Sequence, residues 1–210
     1  MTFEAVLTTI QSHKVVPVVS IGKSHQAEGL AATLVENGLP VAEITLRTPE
    51  SFAALELAAK NPKLLVGVGS LQTPDQLNRA ADLGAQFAVS AGFVPEIAER
   101  AEALKMPYFP GIATPTEILH AMKYKIEIMK FFPAESLGGI AMLKAMSAPF
   151  PQLKFMPTGG ISVNNVRDYL SQDSVFAVGG SWMVPQKAID AGEFELIGKL
   201  IREAREICAQ

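Results

Sequence analysis

Apolar residues in this chain gather in short continuous runs, and amphipathic stretches separate them. The first run is Val15-Val16-Pro17-Val18-Val19. It is followed by Val41 to Leu46, Leu64 to Val68, Phe87 to Ser90, Tyr108 to Pro110, Ile126 to Phe132, Leu153 to Met156 and Val175 to Val178. The runs are continuous rather than alternating, which is the pattern of parallel strands covered on both faces.

The intervening stretches carry helical spacing. Phe3, Val6, Leu7 and Ile10 predict a short N-terminal helix over 3–12. Ala27, Leu30, Ala31, Leu34 and Val35 predict a helix over 25–37 that stops at Asn37-Gly38. Pro49 marks a helix start running to about Lys60. Thr73-Pro74 and Thr114-Pro115 each read as an N-cap followed by proline at the first helical position, and Glu117 adds a capping box to the second. Pro95, Ser136 and Ser162 open three more helices, and Phe194, Ile197, Leu200, Ile201 and Ala204 mark a last one over about 193–207. Eight strand–helix units, roughly 20–25 residues apart, predict an α/β fold: a (β/α)8 TIM barrel with a short N-terminal helix. An open doubly wound sheet competes with it, but no G-x-G-x-x-G follows the first run.

Composition narrows the function classes. The 210 residues suffice for one large core, so a single domain over 1–210 is expected. With 49 % apolar and 19 % charged residues the composition is that of a globular protein. A net charge of −3 and no Lys/Arg block argue against a nucleic-acid partner. No apolar run approaches the ~20 residues of a membrane helix, and the N-terminus has no signal-peptide pattern. The single cysteine, Cys208, excludes an internal disulfide framework and fits a reducing, cytoplasmic setting. His13, His25 and His120 stand alone, without zinc-ligand spacing, although carboxylates could still hold magnesium.

The candidate chemistry centres on Ile128-Met129-Lys130-Phe131-Phe132-Pro133, an apolar strand with one lysine in its middle. Burial disfavours the ammonium form of a lysine, and a neutral amine attacks carbonyls to form a Schiff base. The plainer reading is a lysine that snorkels to water. Glu43 also lies inside a strand run and needs a cation or a chemical role there. Glu43, Thr45 and Arg47 share parity, so a continuing strand sets them on one face, with Arg47 ~13 Å further on at the mouth. A merely structural Glu43–Lys130 ion pair is the alternative. Other strand ends carry small or polar residues: Gly69-Ser70 and Thr73, Ser90-Ala91-Gly92, and Gly111 to Thr114. The seventh and eighth strand ends carry Thr158-Gly159-Gly160 and Gly179-Gly180-Ser181. A Gly-Gly in each of these two loops suits a phosphorylated ligand, because glycine lets backbone N–H groups approach an anion closely. Trp182 and Met183 read as packing, Cys208 as a small apolar residue or an exposed bystander, and the Phe131-Phe132 pair as core, at most a dry wall beside Lys130.

Taken together, Glu43-Ile44-Thr45-Leu46-Arg47-Thr48, Gly111 to Glu117, Lys130-Phe131-Phe132-Pro133-Ala134, Phe155 to Ile161, and Val178-Gly179-Gly180-Ser181-Trp182 resemble the 2-keto-3-deoxy-6-phosphogluconate (KDPG) aldolases, also described as 4-hydroxy-2-oxoglutarate (KHG) aldolases. The resemblance spans essentially the whole chain in order. It implies a class I, metal-free and cofactor-free lyase with a (β/α)8 barrel, commonly a homotrimer. It also implies roles: Lys130 as Schiff-base lysine, Glu43 as general acid/base, and Arg47 on the pyruvate carboxylate. Ser70 would stand beside pyruvate, Thr158 near the aldehyde, and Gly159, Gly160, Gly180 and Ser181 on the phosphate. The chain departs from the family at Ser70, where threonine is usual, and at Ala91, where proline is frequent. The implied reaction releases pyruvate and glyceraldehyde 3-phosphate. The competing expectations are a 2-keto-3-deoxy-6-phosphogalactonate aldolase and a non-catalytic barrel that binds a phosphorylated sugar acid.

Overall fold

Strand and helix alternate along the chain because each apolar run is followed by a helix-starting signal. The computed structural model describes residues 2–209. In chain order the elements are α1 (Phe3–His13), β1 (Val15–Val19), α2 (Ala27–Glu36), β2 (Val41–Thr45), α3 (Ser51–Ala59), β3 (Leu65–Leu71), α4 (Pro74–Asp82), β4 (Phe87–Ser90), α5 (Pro95–Ala103), β5 (Tyr108–Phe109), β6 (Gly111–Ile112), α6 (Pro115–Met122), β7 (Ile128–Phe131), α7 (Gly139–Ser147), β8 (Lys154–Phe155), α8 (Val166–Leu170), β9 (Val178–Gly180), α9 (Gln186–Ala191) and α10 (Phe194–Ala209).

The predicted caps are formed. The Thr73 hydroxyl accepts from Gln76 N, and Thr114 with Glu117 makes the reciprocal capping box. Three expected helix starts move. Pro49 lies in a turn and α3 begins at Ser51. Ser136 sits in a short 3₁₀ turn, with α7 starting at Gly139. Ser162 precedes a turn, with α8 starting at Val166.

All strands pair in parallel, in sheets ordered β5-β4-β3-β2-β1-β9 and β6-β7-β8. Pro110 separates the two sheets. It has no N–H to donate, so β5 stays with β4 while β6 pairs with β7. Across the other junction, Phe155 bridges Val175 and Thr158 bridges Gly179. The run Val175 to Val178 is thus only partly strand, and its regular pairing with β1 begins at Val178. The result is an α/β fold whose parallel sheet curls on itself, in regular ladders of six and three strands rather than eight uniform ones.

Helices cover the outer face. Leu30 and Leu34 of α2 and Leu55 of α3 are at most 2 % exposed, and burial of each contributes about 2 kcal/mol. They belong to one apolar cluster that also holds Val16, Val41 and Val66 from the sheet. This continuous core fixes the strand ends on which the polar residues stand. Among the described residues no helix is long and apolar enough to cross a membrane.

Candidate active site

A cavity of about 380 Å³ opens at the C-terminal ends of the strands. Glu43, Arg47, Ser70, Lys130, Thr158, Gly159, Gly160, Gly180 and Ser181 all line it. The topology therefore brings together, from five strand ends, every residue to which the family resemblance assigned a substrate or catalytic role.

Lys130 and Glu43 meet because β7 and β2 face each other across the curled sheet. Lys130 Nζ lies 3.4 Å from Glu43 Oε1, and the two residues are 5 % and 1 % exposed. The other carboxylate oxygen, Oε2, is buried without a hydrogen-bond partner among the described residues. A buried, unpaired carboxylate oxygen is costly unless a donor reaches it. The Phe132 ring stands 5.2 Å from Lys130 Nζ, within cation–π reach. Glu43 fits because β3 offers Gly69 at this point: a Cβ there would stand 2.0 Å from Glu43 Oε1.

β2 ends at Thr45, so Arg47 reaches the cavity from a turn and not from a continued strand. The strand does not continue to Arg47, as the parity argument required, yet Arg47 stands at the mouth as expected. Thr45 links the two: its hydroxyl donates to Val19 O at 2.7 Å and accepts from Arg47 Nε at 3.0 Å. With Nε engaged, the terminal nitrogens of the guanidinium are left for a ligand. Ser70 adopts φ +60°, rare for a non-glycine residue, where the β3–β4 register shifts. Such a bulge re-aims side chains, and the Ser70 hydroxyl has no protein partner among the described residues.

The loop after β8 leaves successive backbone N–H groups unpaired. The carbonyls of Thr158, Gly159 and Gly160 are taken by Ala134 N, Glu135 N and Asn165 Nδ2. The N–H groups of Gly159, Gly160 and Ile161 have no hydrogen-bond partner among the described residues. Gly159 and Gly160 have φ of +97° and +81°, so both need glycine's freedom. Successive free N–H groups of this kind can serve as an anion nest.

The loop after β4 is held by a directed hydrogen-bond chain. Ser90 donates its one proton to Gly92 O at 2.6 Å, so Tyr108 OH must donate to Ser90 Oγ, 2.6 Å away. Burial pushes the Tyr108 phenol up to about 12, against a weaker opposing bond from the Val94 backbone.

Several sequence candidates stay outside. Thr73 and Thr114 are helix caps. His25 and His120 are exposed, and His13 lies at the end of α1. Cys208 is buried, and burial raises its thiol to about 11. Among the described residues no three His, Cys, Asp or Glu side chains gather as a metal site. Thr45, Gln72, Ala91 and Phe132 also line the cavity. The Phe131-Phe132 pair splits: Phe131 is core and Phe132 faces the site. Strand alternation was the signal that could have separated them.

Parallel sheet, strand-end cavity, buried lysine–carboxylate pair and a loop of unpartnered N–H groups meet in one site. A family model described as KDPG and KHG aldolase matches residues 6–200. The KHG/KDPG aldolase of Escherichia coli K12 is 44 % identical over 204 residues, 97 % of this chain and 94 % of that protein. The 2-dehydro-3-deoxy-phosphogluconate aldolase of Dickeya dadantii is 44 % identical over 191 residues, 90 % of each chain. A KDPG aldolase from Legionella pneumophila, solved with pyruvate captured at low pH as a covalent carbinolamine intermediate, superposes with TM-score 0.89. It is 39 % identical and covers 94 % of this chain and 96 % of its own. The chain belongs to the KDPG and KHG aldolase family, whose members are lyases.

Proposed function

We propose that this chain is a class I aldolase that uses a Schiff base on Lys130. It cleaves KDPG to pyruvate and glyceraldehyde 3-phosphate, and KHG to pyruvate and glyoxylate. The observation that carries this reading is the buried Lys130–Glu43 pair in the strand-end cavity, with one Glu43 oxygen left unpartnered.

In this mechanism Lys130 passes a proton to Glu43, and its neutral Nζ adds to the C2 ketone to give a carbinolamine. Glu43 returns that proton to the departing hydroxyl, and loss of water gives an iminium, an electron sink, with Glu43 again a carboxylate. Glu43, directly or through a water, removes the C4 hydroxyl proton, the C3–C4 bond breaks, and its electron pair moves into the enamine. The aldehyde leaves. Glu43 returns the proton to C3, and water hydrolyses the pyruvyl iminium to free pyruvate and Lys130. The terminal nitrogens of Arg47 grip the C1 carboxylate in a planar, bidentate way. Ser70 stands beside the pyruvyl half, and Thr158 faces the aldehyde. The N–H groups of the Gly159-Gly160 loop, with Gly180 and Ser181, take the phosphate. Binding at that remote end helps orient the bond to be broken.

The same reading takes the fold as a closed (β/α)8 barrel forming one domain, supported by the Pro110 junction and the Thr158–Gly179 bridge. The homotrimer and the cytoplasmic setting rest on the family resemblance. A native galactonate-type (KDPGal) structure shares the fold at 22 % identity, and carries nothing about substrate.

Borohydride reduction in the presence of pyruvate, followed by peptide mass spectrometry, tests the reading. A reduced pyruvyl adduct on Lys130 is expected. An adduct on another lysine overturns the site, and none at all in folded protein overturns the Schiff-base chemistry.

A further inference from the structure

Directly behind the anion nest stands a carboxylate. Glu135 follows β7 in the turn that supports the Gly159-Gly160 loop, and its backbone N–H donates to Gly159 O at 3.1 Å. Its side-chain stem presses on that loop: a Cβ on Gly160 would lie 2.6 Å from both Glu135 Cβ and Cγ. A negative charge so close to a phosphate site would oppose binding if it swung toward the cavity. It does not line the cavity.

Tyr169 holds it elsewhere. The Tyr169 hydroxyl donates to Glu135 Oε1 at 2.5 Å, from a residue of α8 that is 0 % exposed. The pair sits over the start of α7, where a Cβ on Gly139 would stand 3.0 Å from Glu135 Oε1 and 3.3 Å from the Tyr169 hydroxyl. The N-terminal end of a helix favours a carboxylate. Burial, and then the Glu135 bond, raise the Tyr169 phenol, so it remains a proton donor. Glu135 itself is solvent-exposed, so only this bond restrains its carboxylate among the described residues.

We propose that Tyr169 is a positioning residue for the anion loop: it parks the Glu135 carboxylate behind Gly159-Gly160, and so preserves affinity for substrates with a phosphate remote from the keto acid. The inference rests on the phosphate role assigned to that loop under Proposed function.

The test compares wild type, Tyr169→Phe, Glu135→Gln and the double variant. Two reactions are followed: KDPG cleavage, and exchange of the pyruvate methyl protons with solvent, which needs the lysine but no phosphate. Tyr169→Phe frees the carboxylate and should raise KM for KDPG about tenfold, with kcat and pyruvate exchange within about twofold of wild type. Adding Glu135→Gln should restore KM, because the freed side chain then carries no charge. A parallel loss in both reactions, or no recovery in the double variant, overturns the proposal in favour of a merely structural bond. If inorganic phosphate does not compete with KDPG in the wild-type enzyme, the anion-loop reading fails and the role proposed for Tyr169 fails with it.

Discussion

Lys130 Nζ lies 3.4 Å from Glu43 Oε1 inside a cavity that both side chains line. The pairing is the least neutral feature of an otherwise apolar interior. Two charges held in a low-dielectric site compensate each other, and removing one strands the other. Lys130→Met should therefore abolish turnover and also lower stability, by up to about 3 kcal/mol. Adding Glu43→Gln should recover most of that stability without any activity. Urea denaturation of the two variants, read beside an aldol assay, checks both statements.

The fit between Glu43 and β3 gives a second outcome. A Cβ on Gly69 would stand 2.0 Å from Glu43 Oε1 and 2.6 Å from its Cδ and Cγ. Gly69→Ala should push the carboxylate from its place, with kcat falling on the order of 100-fold and a destabilisation of about 1–3 kcal/mol from overpacking. Borohydride trapping should still label Lys130, which separates misplaced proton transfer from a lost nucleophile.

Thr45 orients Arg47 through the 3.0 Å bond to Nε. Thr45→Val keeps the shape and removes the hydroxyl. It should raise KM for pyruvate in the condensation direction about tenfold, as expected for loss of one hydrogen bond to a charged group, with little change in kcat. Thr45→Ser should return to wild-type behaviour. Steady-state kinetics on the three proteins is the measurement.

The Tyr108–Ser90 chain makes a pH-dependent contribution. Burial raises the folded phenol to about 12, above its ordinary value of 10. The folded state therefore holds the proton more tightly than the unfolded chain. Its stabilisation is complete below about pH 10 and is lost as pH rises from about 10 to about 12, amounting to roughly 3 kcal/mol. Tyr108→Phe should flatten that part of the curve, as measured by chemical denaturation across the alkaline range.

Much of this molecule is legible in the order of its residues. Continuous apolar runs with capped, amphipathic segments between them dictate parallel strands with helices on the outside, because buried backbone needs a ladder and exposed connections need helices. Lys130 and Glu43 stand out as charges inside apolar strands, and the paired glycines stand out at strand ends. The sequence also carries helix boundaries where the signal is local, as at Thr73 and Thr114. It misplaces them where a turn precedes the helix, as before Gly139 and Val166.

What only the tertiary structure decided is how residues far apart in sequence share space. Curling of the sheet sets Glu43 against Lys130, 87 positions away. The turn after Thr45 carries Arg47 inward, the bulge at Ser70 turns its hydroxyl, and Tyr169 meets Glu135 behind the anion nest. Each depends on strand register, on bulges and on the absence of side chains at Gly69 and Gly160. Local propensity is blind to all of these, because they arise from packing between segments rather than within one.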